Sequence, residues 1–317
     1  MKLKFLAGLA LAVGLTSTAA AQNVGVGTMS QGTMSYSSGS AIAKVIAEQA
    51  KMQARVQPNS GESVLIPLVD MGELDFGIAN ILESAEAKHG ERAFEGRPAK
   101  NLQIASVIFP LKTALFVRAD SDINSLADLK GKRVTYGFTA MGSINTVLDG
   151  LLATGGLGPD DIRQVLVPNV VRGADELIAG NADAFYFAVG AAKVTEVDAS
   201  VGGLRMLPMG TSEAQLAAMR KIYPYGYSVN EAPRPGLPGF TEPTPVLAYD
   251  NLLLTSPNTS DEVVYKAMKA LYENQPELAN SFVPFRGFNV KQMYKPDMPL
   301  EFHSGSMRLF KEVGLVK

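Results

Sequence analysis

Short apolar runs alternate with segments of helical period along most of the chain. Val24-Gly25-Val26-Gly27-Thr28 reads as a strand, followed by the small polar stretch Met29 to Tyr36. Ala41, Ile42, Val45 and Ile46 then recur at helical spacing, with Ser38 or Ser40 as the N-cap. Arg55 to Pro58 is a second strand, and Asn59-Ser60-Gly61-Glu62-Ser63 opens a helix. That reading puts Pro67 near the helix's first turn, where a missing N–H is tolerated. Asp75 to Ala79 is a third strand, so strand and helix alternate as in a parallel α/β unit. A β-rich stretch, Leu102 to Val107 and Thr113 to Val117, interrupts the alternation, and the same grammar then restarts. Strand Arg133 to Tyr136, helix Ile144 to Leu152, helix Ala174 to Ile178 and strand Asp183 to Val189 make the second unit.

The zone Tyr223 to Pro245, rich in Pro, Gly and Tyr, reads as irregular. Val246 to Thr255 is a further strand, Ser260 or Asp261 caps a helix through Tyr272, and Ser306 to Val313 is the last helix. The order predicts two α/β lobes joined by a two-stranded hinge, with crossings near Leu115–Arg118 and Val246–Leu254. The expected partition is 22–115 for the first part of lobe 1, 116–248 for lobe 2, and 249–317 for the rest of lobe 1 with the C-terminal helices.

The N-terminus changes the picture of compartment. Basic Met1-Lys2-Leu3-Lys4, apolar Phe5 to Leu15 and Ala19-Ala20-Ala21 read as a secretory signal, residues 1–21, cut after Ala21. The apolar run is shorter than the ~20 residues that span a bilayer. The expected location is the periplasm. The absence of cysteine excludes disulfides, thiolate metal sites and cysteine nucleophiles. A net charge of −2 lacks the basic footprint of a nucleic-acid binder.

The remaining chemistry narrows the field by exclusion. Gly25, Gly27 and Gly32 miss the dinucleotide spacing, and Thr33-Met34 stands where a phosphate loop needs Lys-Ser/Thr. No Gly-x-Ser-x-Gly elbow is present. His89 sits in a charged, exposed stretch, and His303 has a structural hydrogen-bonding role. The two histidines are separated and make no metal-ligand spacing, so no transition-metal site and no cofactor are expected.

Four loops share a feature. Each leaves the carboxyl end of a strand and enters a helix through small polar residues, which is where open α/β sheets bind ligands. Unpaired N–H groups at such helix starts suit an anion. The loops give Thr28, Ser30, Thr33, Tyr36, Ser60, Ser63, Met141, Ser143, Asn145 and Gly190 as candidate ligand contacts. An anion calls for a cation as well, with Arg favoured for its fork. Arg172 is the first candidate, Lys112 the second and Arg118 the third; Tyr36, Tyr225 and Tyr227 are candidates to close over the ligand.

Several stretches, in order and spacing, carry a family resemblance. Gly27-Thr28-Met29-Ser30-Gln31-Gly32-Thr33-Met34-Ser35-Tyr36 opens it, and Ser60-Gly61-Glu62-Ser63 with Met71 to Ile78 follows. Leu126 to Val134 with Met141-Gly142-Ser143, then Ala179 to Ala191, and the tail Glu301 to Ser306 with Phe310 to Gly314 complete it. The chain resembles the TAXI group of TRAP-transporter solute-binding proteins. That resemblance implies a periplasmic-binding-protein type II-like fold and a monomer without catalytic activity. It would capture a glutamate-like amino acid, a dicarboxylate or a 2-oxo acid by hinge closure and deliver it to TRAP membrane subunits. Phe109 to Lys112 and Tyr223 to Phe240 depart from the family pattern. The other readings are a periplasmic hydrolase using a cleft serine, or a receptor feeding another transporter or a membrane sensor.

Overall fold

The computed structural model describes residues 22–317; the expected signal segment lies outside the described residues. The strands are β1 (Asn23–Met29), β2 (Gln53–Asn59), β3 (Phe76–Asn80), β4 (Gln103–Arg118), β5 (Arg133–Gly137), β6 (Arg163–Val167), β7 (Ala184–Ala188), β8 (Leu204–Met206), β9 (Tyr227–Glu231) and β10 (Thr244–Thr255). The helices are α1 (Met34–Gln49), α2 (Glu62–Met71), α3 (Ile81–His89), α4 (Ser143–Thr154), α5 (Val170–Ile178), α6 (Ala192–Val201), α7 (Glu213–Ile222), α8 (Asp261–Glu273), α9 (Gln275–Ser281) and α10 (Ser304–Glu312).

One sheet runs in the order β2-β1-β3-β10-β4-β7-β5-β6, with β8 added to β4 and β9 to β10. Its two ends are parallel units, β2-β1-β3 and β7-β5-β6. Between them lie the two long antiparallel strands, β4 and β10. β10 joins the first unit and β4 joins the second. β10 pairs with β9 over 244–248 and with β3 over 251–254; β4 pairs with β7 over 113–117. The fold is therefore a mixed α/β structure of two lobes joined through two shared strands. Among the described residues no helix is long and apolar enough to cross a membrane.

Sequence accounts for the close layers. Val26, Phe76 and Ile78 are fully buried in β1 and β3, beneath Ile42 and Ile46 of α1. Gly39 lets α1 approach β1, since a Cβ there would lie 2.2 Å from the Thr28 side chain. In the second lobe Val134, Phe185 and Phe187 are buried in one core with Val147 and Leu151 of α4 and Leu177 of α5.

The structure corrects several local expectations. Thr33 is the N-cap of α1, accepting the Tyr36 N–H at 3.2 Å, so the helix begins well before Ser38 and Ser40. Its Gly and Ser residues hide the first turns because helical spacing becomes visible only at Ala41. Pro67 stands inside α2, beyond the first turn. β4 is a single strand of 16 residues and takes up pairing with β7 at Thr113, two residues before the expected crossing at Leu115. The zone expected to be irregular contains β9, which is built by pairing with β10 rather than by its own pattern.

Candidate functional site

The parallel strands of both lobes aim their carboxyl ends at one cleft, and the cleft is shut. Gly61, the residue before α2, meets the loop before α4 so closely that a Cβ would lie 1.8 Å from the Ala140 carbonyl oxygen. The Gly142 N–H donates to Ser63 Oγ at 3.3 Å, and the Lys193 N–H donates to the Gly32 carbonyl at 3.1 Å. Each of these contacts joins one lobe to the other.

Beneath the first contact lies a cluster of carboxyl, amide and hydroxyl groups. Asn80 caps α3 by accepting the Glu83 N–H at 2.9 Å, and its amide donates to Glu62 and, at 3.0 Å, to Ser143 Oγ. Ser143 Oγ in turn donates to Glu83 Oε2 at 2.6 Å, and Ser63 Oγ donates to the other Glu83 oxygen. Glu62, Glu83 and Ser143 are all buried. Burial pushes the Glu62 carboxyl well above the ordinary carboxylate range, and the neighbouring Glu83 pushes it further. Glu83 is also raised by burial, opposed by the hydrogen bonds from Ser143 and Ser63.

Two cavities occupy the cleft. The inner one, about 30 Å³, is lined by Glu62, Thr33, Thr113, Tyr186, Tyr249 and apolar groups that include Met141. The Tyr186 and Tyr249 hydroxyls lie 3.1 Å apart at its wall. The outer one, about 300 Å³, is lined by Lys112, Glu231, Arg234 and Arg286 among apolar side chains. Met34 and Leu111 line both cavities and so stand between them. Glu231, only 2% exposed, is the organiser of the outer chamber. It accepts from Lys112 and, at 2.6 Å, from Arg234 Nη1. Three cations and one carboxylate leave the chamber with two positive charges in excess.

The sequence candidates separate in space. Thr33 and Met141 line the inner cavity, Lys112 lines the outer one, and Ser63 and Ser143 belong to the cluster between the lobes. Gly190, at φ 82°, sits where a Cβ would lie 3.0 Å from Leu237 and 3.8 Å from Met34. Thr28 is buried and donates to the Met29 carbonyl, and Ser30 donates to the Asn59 carbonyl at 3.2 Å; both brace loops. Asn145 ties both backbone groups of Gly137, with its amide donating at 2.8 Å and its oxygen accepting at 3.0 Å. Ser60 is exposed at the end of β2. Tyr36 lines a separate surface hollow with Lys44 and Phe282. Arg172 is 58% exposed, lines neither cavity and pairs with Asp175 at 2.9 Å along its own helix. Arg118 is likewise exposed and paired with Asp120. Tyr225 is half-buried, and the Tyr227 hydroxyl donates to Asp250 at 3.4 Å.

Glu62, Asn80, Glu83, Glu231, Arg234 and Arg286 were not singled out by sequence reasoning. One signal was present: Asn80 followed three residues later by Glu83 is a helix-start signature. Glu231 and Arg234 carry none, since only the pairing of β9 with β10 brings them to Lys112.

Comparison with known proteins places this geometry. The sequence pattern of the NMT1-like family matches residues 26–314. Among solved structures, one described as a periplasmic transporter superposes with a TM-score of 0.59 at 13% identity, covering 92% of this chain and 93% of that one. PhnD1 from Prochlorococcus marinus in complex with methylphosphonate gives 0.55 at 10% identity, covering 93% and 99%. An ancestral arginine-binding protein bound to arginine gives 0.52 at 18% identity, covering 84% and 98%. The architecture is thus that of type II-like periplasmic binding proteins.

Proposed function

We propose that this chain, which belongs to the NMT1-like family, is an extracytoplasmic solute-binding receptor that closes its two lobes over a small carboxylate. The observation that carries the reading is the outer chamber. Buried Glu231 holds Lys112 and Arg234 in place, Arg286 adds a third cation, and the hinge strand β4 supplies the wall. Cations fixed in this way pay little ordering entropy when an anion arrives, and Arg offers a carboxylate two parallel donors. The lobes in this reading are 22–115 with 249–317, and 116–248. The contacts of Gly61 with Ala140 and of Gly142 with Ser63 mark the closed form.

The resemblance to the TAXI group supports delivery of the solute to TRAP membrane subunits from the periplasm, with glutamate-like amino acids, dicarboxylates and 2-oxo acids as the classes to test. Thr33, Met141 and Lys112 are the sequence candidates that line the cavities and are proposed to meet the solute. The test is a thermal-shift screen of protein refolded to strip carried-over solute, against amino acids, four-carbon dicarboxylates, 2-oxo acids and neutral sugars. A receptor gains several degrees with one carboxylate and returns it chemically unchanged. Conversion of that compound would move the chain to the enzymes, and a response confined to sugars would remove the anion site.

A further inference from the structure

The cluster between the lobes has a feature that solute capture alone does not require. It buries two carboxyl groups side by side at the seam where the lobes meet. We propose that the Glu62–Glu83 pair is a proton-binding site, so that the closed cleft holds one proton which the open cleft releases. This rests on the reading of the two lobes as a closing receptor, and it adds a proton as co-ligand of the closed form.

The geometry supplies the argument. Ser143, at the start of α4 in the second lobe, gives both its hydroxyl (2.6 Å) and its N–H (3.4 Å) to Glu83 Oε2. Ser63 gives its hydroxyl to the other Glu83 oxygen, so Glu83 is the acceptor of the pair and holds the negative charge. Glu62 receives the Asn80 amide on one oxygen, against the two serine hydroxyls that Glu83 accepts. Two ionised carboxylates cannot sit together out of water, and Glu62 is the one left to carry the proton.

Among the described residues no cation faces the pair. On α3 the next acid is Glu86, whose cation is Arg92 at 2.9 Å. Across the seam α4 presents Asp149, which accepts from the Tyr136 hydroxyl at 2.9 Å. β7 and β10 present the hydroxyls of Tyr186 and Tyr249. Burial raises Glu62, Glu83 and Asp149, so all respond in the same direction on closure. Opening the cleft removes Ser143 from Glu83 and admits water to both carboxyl groups, which returns them toward ordinary values and frees the proton.

The sign follows by linkage. A carboxyl raised in the closed state favours closure at low pH, and that preference is lost as pH rises through its closed-state value. The experiment needs no solute. The chain has no cysteine, so spin labels at Glu73→Cys and Gln164→Cys report one distance between exposed positions on the two lobes. Pulsed electron resonance on unliganded protein from pH 5.5 to 8.5 should show the closed-to-open ratio falling with pH, by up to about tenfold per unit for one proton. Glu62→Gln, a neutral replacement that keeps the acceptor for Asn80, should stay closed with the slope abolished. Ser143→Ala should shift the distribution toward open throughout. A ratio independent of pH overturns the proposal, as does a wild-type slope in Glu62→Gln or a slope abolished instead by Glu86→Gln. Failure here leaves the solute screen untouched, whereas a silent screen would remove the receptor reading without altering these distances.

Discussion

Gly61→Ala isolates closure from folding. Gly61 has φ −179° and ψ 176°, extended backbone that alanine adopts without strain, so the lobe that carries it should fold normally. The obstacle lies wholly in the other lobe. The new Cβ would lie 1.8 Å from the Ala140 oxygen and 2.7 Å from the Met141 side chain, against a floor of 3.0 Å for such contacts. Bringing 1.8 Å up to 3.0 Å opens the seam by about 1.2 Å. An opening of that size stretches the 2.6 Å bond from Ser143 Oγ to Glu83 beyond 3.5 Å, where it no longer counts as a hydrogen bond. Hydrogen bonds to a charged group contribute about 1.5–3 kcal/mol each. With partial relaxation of the loop, the net loss should be about 2–3 kcal/mol, or roughly 30- to 150-fold in affinity for a solute bound by closure. The assay is titration calorimetry with the carboxylate found by the screen, paired with the melting temperature of the unliganded protein. The melting temperature should hold while the Kd rises. An unchanged Kd would show that the binding form does not bring Gly61 against Ala140, and would refute the closed-cleft reasoning.

Other substitutions test separate parts of the structure. Arg172→Ala separates the sequence expectation from the structural placement: a ligand contact would lose tenfold or more, whereas an exposed partner of Asp175 should leave the Kd, read by calorimetry, within about twofold. Tyr223 is fully buried, and its hydroxyl has no hydrogen-bond partner among the described residues. Tyr223→Phe should therefore keep or raise stability, by up to about 1 kcal/mol in urea unfolding, and a loss above that size would reveal a partner. Burial raises Glu86 from 4.5 to about 7 against the opposing charge of Arg92. Its neutral form fits the fold, so the stability it supports is full below pH 4.5 and lost as pH climbs through about 7. Glu86→Gln should flatten that decline in melting temperature, and an unaltered profile would assign the decline to other groups.

The fold was legible because its two parallel units write themselves in local pattern. Val24 to Thr28, Asp75 to Ala79 and Asp183 to Val189 are apolar runs that become β1, β3 and β7. β9 was not legible, because residues 227–230 are half-buried or exposed and take strand form from β10 beside them. The site divides along the same line. Thr33, Ser63, Met141 and Ser143 stand at the loop-to-helix junctions that any parallel α/β unit aims at its cleft, and the structure brings them there. The cations were harder. Arg172 begins a helix near a strand end as Ser143 does, but its side chain turns to Asp175 on its own helix. Arg234 follows a strand that its own sequence does not announce, and Arg286 comes from the segment after α9. Phe109 to Lys112 and the segment holding Glu231 and Arg234, the two places where the sequence departs from the family pattern, together wall the outer chamber.

The most direct test of the carboxylate site is titration calorimetry of the identified solute into the wild-type protein and into the Lys112→Ala/Arg234→Ala double variant. Removing two cations that Glu231 holds at the outer chamber should weaken binding by a hundredfold or more, about 3 kcal/mol. A double variant that binds the carboxylate as tightly as the wild type would place the anion elsewhere and contradict the account.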